Sequence, residues 1–561
     1  MKQKLVIDIE TTLDHETIHM AVVAEGDRSP VICWSAEQFQ DRFGRIIDKG
    51  CTIIGHNIIG FDKPVMENVW GIDFKHCTFE DTMILSSLLE PEERHSLKEC
   101  CLRHNKTYFK GDFETEDFDS PPTGEMVEYA LLDVEATREL YKSLIRSLDD
   151  QDFSQYSRDI EHDVKHIVCQ QERNGILFDV DKANHLYSQL CFRTNQIKSE
   201  LQEVFPPIVT ERYSTKTGKR LKDDVEEFNP NSRQQIAKRL QMLGVKFTKH
   251  TEKGNIIINE PVLAEIDLNE ARILNESLML SKRIGLLDGW FKHLGDDGRI
   301  HGRVRTNGAV TGRMTHSAPN LAQIPAVRSQ YGKECRELFT VPEGKVMVGC
   351  DASGLELRML AHYMQDEDYI KAVVEGTQEK GTDVHTRNMQ AFGCEDRDTA
   401  KTLIYAMLYG AGDAKLGSIV GGSASVGKHL RHRFLSATPA YAELLNKVEK
   451  LAEKGSLPGL DGRRLWVRHQ HAALNTLLQG AGAVVMKVGL CRAVSNLTIM
   501  EVPHLFLVNV HDEWQVETDP EYADDVGTHL VDGIRGAGWS LKLRCPLNGE
   551  YKIGDNWAAT H

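Results

Sequence analysis

Apolar and polar positions alternate almost from the first residue. Lys4 to Ile9 has the two-residue period of a strand, His19 to Trp34 supplies two more, and Cys51 to His56 another. Helical spacing follows from Pro64 to Trp70 and from Glu125 to Leu148, the second helix preceded by an acidic, aromatic loop from Gly111 to Thr123. Residues 1–148 are therefore expected to form an α/β unit. From Tyr156 to about Gly295 the apolar spacing is mainly helical, broken by a polar, basic stretch (Pro206 to Lys222) that reads as a loop or small hairpin. Beyond Gly298 short strands alternate with long helices, and no internal repeat is present.

The chain has 561 residues, enough for three or four domains at roughly 150 residues each. An apolar run from Ala481 to Met500 is interrupted by Lys487 and Arg492, which argues against a membrane span. The chain opens directly into a strand, with no cleavable apolar segment, so a cytoplasmic location is expected. Twelve scattered cysteines without a C-x-x-C pair fit reduced thiols and no zinc site. The formal charge of −16 does not exclude a nucleic-acid partner, because phosphate binding depends on local charge. Basic residues do cluster, at Arg212 to Lys222, Arg303-Arg305-Arg313, Lys428 to Arg433 and Arg463-Arg464-Arg468.

Two sets of carboxylates carry the chemistry. In the first, Asp8 and Glu10 lie two apart on one strand and so share a face. Asp62 follows in Asn57-Ile58-Ile59-Gly60-Phe61-Asp62, and Tyr129 and Asp133 lie four apart on a helix. Four converging carboxylates repel one another unless cations neutralise them, and two hard divalent ions would do so while stabilising an in-line phosphoryl displacement. Tyr129 is placed to orient an attacking water. In the second set, Asp351 ends a buried strand and is followed by a helix from Ser353 to Met364. Asp512 lies in a turn between Phe506–Val510 and Glu513–Glu517. If that hairpin packs beside the first strand, Asp351 and Asp512 meet. Between them Arg397, Lys401, Tyr405 and Tyr409 recur every fourth residue, so one helix face carries two cations and then two rings. That order suits a nucleoside triphosphate.

The order D-x-E, N-x-x-x-F-D, Y-x-x-x-D resembles the three motifs of the DEDDy proofreading exonucleases, on an RNase H-like fold. Asp351 to Arg358 (DASGLELR), Arg397 to Gly412 (RDTAKTLIYAMLYGAG) and Val510 to Glu513 (VHDE) resemble motifs A, B and C of the family A (Pol I-like) DNA polymerases. Thr311 to Pro325 and His471 to Ala483 support the match, and the run is most like the replicative enzymes of T-seven-like bacteriophages.

The resemblance implies an α/β multidomain chain: a 3′–5′ exonuclease over 1–148, a thumb over 149–297, and palm and fingers over 298–561, with fingers at about 366–440. It implies Mg2+, two per active site and replaceable by Mn2+, held by Asp351, Asp512 and the Ala352 carbonyl in one site. Asp8, Glu10, Asp62 and Asp133 would hold the ions of the other. Arg397, Lys401 and His385 would meet the dNTP phosphates, Tyr405 its sugar, and Glu356 would exclude a 2′-hydroxyl. Arg313, His471, Asn475, Gln479, His511 and Tyr409 would line the primer–template. A phage helicase–primase is a candidate partner. Two departures from the family are expected: no 5′-nuclease domain ahead of Asp8, and only Pro206 to Asn229 where T-seven-like enzymes carry a long thioredoxin-recruiting insertion. Thioredoxin is therefore not expected to act as a clamp. Three competing readings stay open at this point: a nuclease with a decayed polymerase half, a single-subunit RNA polymerase, and a non-catalytic DNA-binding scaffold.

Overall fold

The computed structural model describes residues 2–104, 119–251 and 253–561; most of the acidic loop over 111–123 lies outside them. The N-terminal sheet has five strands, β1 (Lys4–Thr11), β2 (Ile18–Glu25), β3 (Val31–Cys33), β4 (Thr52–Gly55) and β5 (Thr78–Asp81), in the order β3-β2-β1-β4-β5. β1 runs antiparallel to β2 and parallel to β4. Two-residue alternation splits β1 between two cores. Leu5, Ile7 and Ile9 face one, with Phe39 and Met66 of the covering segments; Val6 faces the other, with Leu140 and Leu144. Asp8 and Glu10 share the Val6 face. That face is covered by the helix α2 (Gly124–Asp150), while α1 (Asp62–Trp70) packs on the opposite one. α1 begins two residues earlier than the proline suggested, so Asp62 is its first residue.

α3 (Gln155–Asn174) leaves this unit and serves two cores. Ile160, Val164 and Val168 enter the large C-terminal core, and Cys169 packs under the N-terminal sheet. α4 (Val180–Val204) and α5 (Asn269–Lys292) pair through Leu186, Leu190, Leu278 and Trp290. The polar stretch between them is the small hairpin the turn residues suggested, with Ile208–Thr210 antiparallel to Asp224–Glu226.

The C-terminal half is built on four antiparallel strands: β6 (Val346–Ala352), β7 (Leu505–Val510), β8 (Glu513–Thr518) and β9 (Gly549–Gly554), ordered β7-β8-β6-β9. β9 was not anticipated; it is an edge strand with polar, exposed positions, so it has no clean alternation. α6 (Leu355–Met364) follows β6. α7 (Val384–Phe392), α8 (Arg397–Leu408) and α9 (Ala424–Ala437) extend the same core as a helical layer, in which Phe392 stacks on Phe434 at 4.3 Å. α10 (Ala473–Ile499) and α11 (Ala523–Ser540) lie behind the sheet. α10 is long and apolar enough to pass for a membrane span, but 78% of its apolar window is buried inside the protein. It is a core helix.

Candidate active site

β6 and β8 pair so that Asp351 lies opposite Glu513, and the Ala352 N–H donates to the Asp512 carbonyl at 2.9 Å. This register brings Asp351 and Asp512 side by side at one end of the sheet. The turn His511–Asp512 joining β7 to β8 has only two residues, and His511 sits at φ 55°, a conformation a tight hairpin demands and a non-glycine residue adopts at a cost. Desolvation and the Asp512 and Glu513 carboxylates push Asp351 up to about 7, although its side chain meets solvent on the cavity side. Burial raises Asp512 as well. Glu513 behaves differently. It is buried, yet its carboxylate takes bonds from His561 at 3.0 Å, from Gln515 at 2.6 Å and from the Trp557 indole. With Arg336 at 3.6 Å, these donors hold it below the usual range despite burial. Glu513 is satisfied by the protein, whereas Asp351 and Asp512 turn to the cavity.

That cavity, of about 500 Å³, is lined by Arg313, Asp351, Ala352, Glu356, Tyr405, Tyr409, His511 and Asp512 among others. Across its mouth the Tyr409 hydroxyl donates to both Glu356 oxygens, at 2.9 and 3.1 Å, and Arg313 reaches Glu356 at 3.5 Å. Tyr409 caps α8 rather than lying within it, because Gly410 takes φ 74°. A Cβ at Gly410 would stand 2.5 Å from the His471 carbonyl, so the end of α8 is pressed against the start of α10. Asn475 and Gln479 are on α10, about one helical turn apart, with Gln479 one turn before the cavity-lining Gly482.

Arg397, Lys401 and His385 do not line the cavity; they continue from its edge along α7 and α8. Arg397 lies two helical turns, about 12 Å, from Tyr405. Its guanidinium is held by Asp383 at 3.0 Å, and Asp383 also caps α7 by accepting the His385 N–H. Burial and then the Arg397 and Lys401 cations lower the His385 pKa, which places that ring among them. Asp383 was not singled out in the sequence, although an Asp just before an apolar-periodic run is a recognisable helix start.

In the N-terminal unit, the Ile9 N–H donates to Asp62 at 3.1 Å, tying α1 to β1. Burial pushes Asp62 up to about 8, and the Asp81 and Glu10 carboxylates add to the rise. Tyr129 and Asp133 lie on α2, which covers the Asp8–Glu10 face through Ala130 and Val134. Asp81, missed in the sequence, is fully buried and accepts the Asn57, Ile59 and Met83 N–H groups at 2.9, 3.3 and 3.0 Å. It thereby shapes the turn that delivers Asp62. Among the described residues no three His, Cys, Asp or Glu side chains close into a ready-made cage. The donor sets nevertheless suit hard cations. Carboxylate and carbonyl oxygens converge, and burial with neighbouring carboxylates raises Asp62 and Asp351 even though His561 pulls against the rise at Asp351.

Residues 208–559 match the model of DNA polymerase family A, and residues 7–149 match a 3′–5′ exonuclease model. The chain is 35% identical to the DNA-directed DNA polymerase of Escherichia phage T7, over 78% of this chain and 77% of that one. It belongs to the family A DNA polymerases. The phage T3 enzyme is 34% identical over the same shares, and DNA polymerase I of Aquifex aeolicus is 28% identical over 99% of this chain and 95% of its own. The fold agrees with the solved POL domain of Pol1 from M. smegmatis, in complex with DNA primer-template and dNTP. The TM-score is 0.83 at 20% identity, covering 100% of this chain and 96% of that one. This family A polymerase is thus a DNA-directed enzyme of template-directed synthesis, with a 3′–5′ proofreading exonuclease domain ahead of the polymerase domain. The resemblance to proofreading and polymerase motifs is borne out at the level of family, fold and activity.

Proposed function

We propose that Asp351, Asp512 and the Ala352 carbonyl hold the metal ions of synthesis, and that Asp8, Glu10, Asp62 and Asp133 hold those of proofreading. Mg2+ is the ion we assign, two per site, with Mn2+ able to replace it. Bound there, such ions would neutralise the carboxylates and stabilise both oxygens of the displacement. Arg397, Lys401 and His385 grip the triphosphate of a dNTP, and Tyr405 meets its sugar. Arg313, His471, Asn475, Gln479, His511 and Tyr409 line the primer–template, and Tyr129 orients the water that attacks a frayed 3′ end. The observation that carries this reading is the register of β6 against β8, which sets Asp351 beside Asp512 at the cavity. A primer-extension assay with four dNTPs and Mg2+ tests it; absence of product ends the assignment of the synthesis site.

Primer–template DNA as partner is supported by the M. smegmatis neighbour, which is in complex with both DNA and dNTP. We assign the thumb to 149–297, palm and fingers to 298–561, and a location in the cytoplasm, that of the host if the gene is carried by a phage. A helicase–primase is a fitting partner for such an enzyme; thioredoxin is not, given the short hairpin over 208–226.

We assign the Glu356 side chain, held by Tyr409 and Arg313, as the group that excludes a sugar's 2′-hydroxyl. Glu356→Ala is expected to raise ribonucleotide incorporation relative to deoxynucleotide by about 10–100-fold, read as the ratio of kcat/KM values. Divalent ions should also stabilise the fold in a pH-dependent way. Asp62 and Asp351, raised to about 8 and about 7 from 3.8, favour the protonated folded state. The stability this contributes is full below about pH 4 and is lost as pH rises through 7 and 8. A divalent ion replaces those protons, so Mg2+ is expected to raise Tm more at pH 8 than at pH 5. Equal shifts at both pH values in thermal melts would count against carboxylate-held ions.

A further inference from the structure

Four charged side chains are buried together beneath the synthesis cavity. Glu161 of α3, Asp461 and Arg463 of the loop before α10, and Lys487 of α10 are each 4% exposed or less. Arg463 Nη2 lies 2.7 Å from both Glu161 and Asp461, and the Lys487 ammonium also bonds Glu161. The group is neutral as a set, two carboxylates against two cations. Such clusters add little net stability over well-packed apolar residues, because desolvation offsets the Coulomb gain. What they do provide is fixed direction.

The direction leads to the cavity by two routes. Lys487 is itself part of the cavity wall, beside Met486 and Trp514. Among the described residues Arg463 Nη1 has no hydrogen-bond partner; it is pressed against Gly312, where a Cβ would stand only 2.7 Å away. Gly312 has φ 72° and directly precedes Arg313, whose guanidinium reaches Glu356. Displacing Arg463 would release the backbone under Arg313.

We propose that Glu161, on the helix that follows the exonuclease domain, is a positioning residue of the synthesis site. Through Arg463 and Lys487 it holds Arg313 in reach of Glu356, and so contributes to discrimination against ribonucleotides. The inference rests on the assignment of Glu356 as the group that meets the sugar. Glu161 touches neither DNA nor nucleotide and acts only through its two cations.

The test uses the full chain with Glu161→Gln and, separately, Arg463→Lys. Arg463→Lys keeps the buried charge count but cannot span both carboxylates and Gly312. Each variant is made twice: with Asp8 intact, to read single-strand trimming, and with Asp8→Ala, to read incorporation without removal. We expect the ribonucleotide-to-deoxynucleotide ratio of kcat/KM to rise about tenfold. Trimming should stay within about twofold of the parent. An unmoved ratio in variants that melt cooperatively overturns the proposal and leaves the cluster a purely structural one. A trimming loss of about tenfold or more in the same variants also overturns it. Should Glu161→Gln not melt cooperatively, Arg463→Lys decides alone. A ratio unmoved by Glu356→Ala in the same assay would instead sink the sugar-contact assignment on which the proposal stands.

Discussion

Replacing Asp512 by alanine is expected to lower primer extension by at least ~100-fold while leaving 3′-end trimming of single strands near the parent rate. The reason is local. Asp512 sits in a two-residue turn, and besides Asp351 the other carboxylate described at the cavity, Glu356, is already held by Tyr409 and Arg313. Glu513, next in the chain, already binds His561, Gln515 and Trp557, and is turned away from the cavity. Asp351 would remain, but a single carboxylate with a backbone carbonyl is too small a donor set for paired ions. The fold should survive, because removing Asp512 relieves repulsion with Asp351 and costs only a local backbone hydrogen bond in the turn. Extension measured with a trimming-resistant primer checks the loss. Extension near the parent rate would show that Asp512 is not a catalytic ligand.

Asp8→Ala should do the reverse: trimming falls at least ~100-fold and extension persists. Asp8 lies on the β1 face covered by α2, in a core made of Val6, Met20 and Leu140, separate from the core that surrounds β6. The two sites share no carboxylate. Release of nucleotides from a labelled single strand, read beside extension on the same preparation, gives the comparison. Joint loss of both activities from either substitution would mean that the sites are not independent.

The parts of this enzyme that could be read in advance are those in which chemistry coincides with period. Asp8 and Glu10 two apart on a strand, Tyr129 and Asp133 four apart on a helix, and the fourfold spacing from Arg397 to Tyr409 all place side chains on one face by backbone geometry alone. The hairpin around Asp512 was legible for the same reason: an apolar strand and an alternating returning strand separated by two residues. What escaped was held by tertiary context. Asp81 and Asp383 work by accepting backbone N–H groups, and nothing in their spacing marks them as more than helix starts. Glu513 gains its partners from residues 44 and 48 positions further on. Glu161 and Lys487 are 326 positions apart, so two charges that look like solvated helix faces prove to be a buried contact.

The dual allegiance of α3 bears on how the enzyme could be taken apart. The exonuclease match ends at residue 149 and the polymerase match begins at 208, which invites a cut anywhere between. Yet Ile160, Val164 and Val168 fill the larger interior, and Ser154 bonds the Asp461 carbonyl. A nuclease-free fragment trimmed beyond Gln155 would leave a greasy trench along its back; the workable scissor point lies ahead of Ser154, near Asp150.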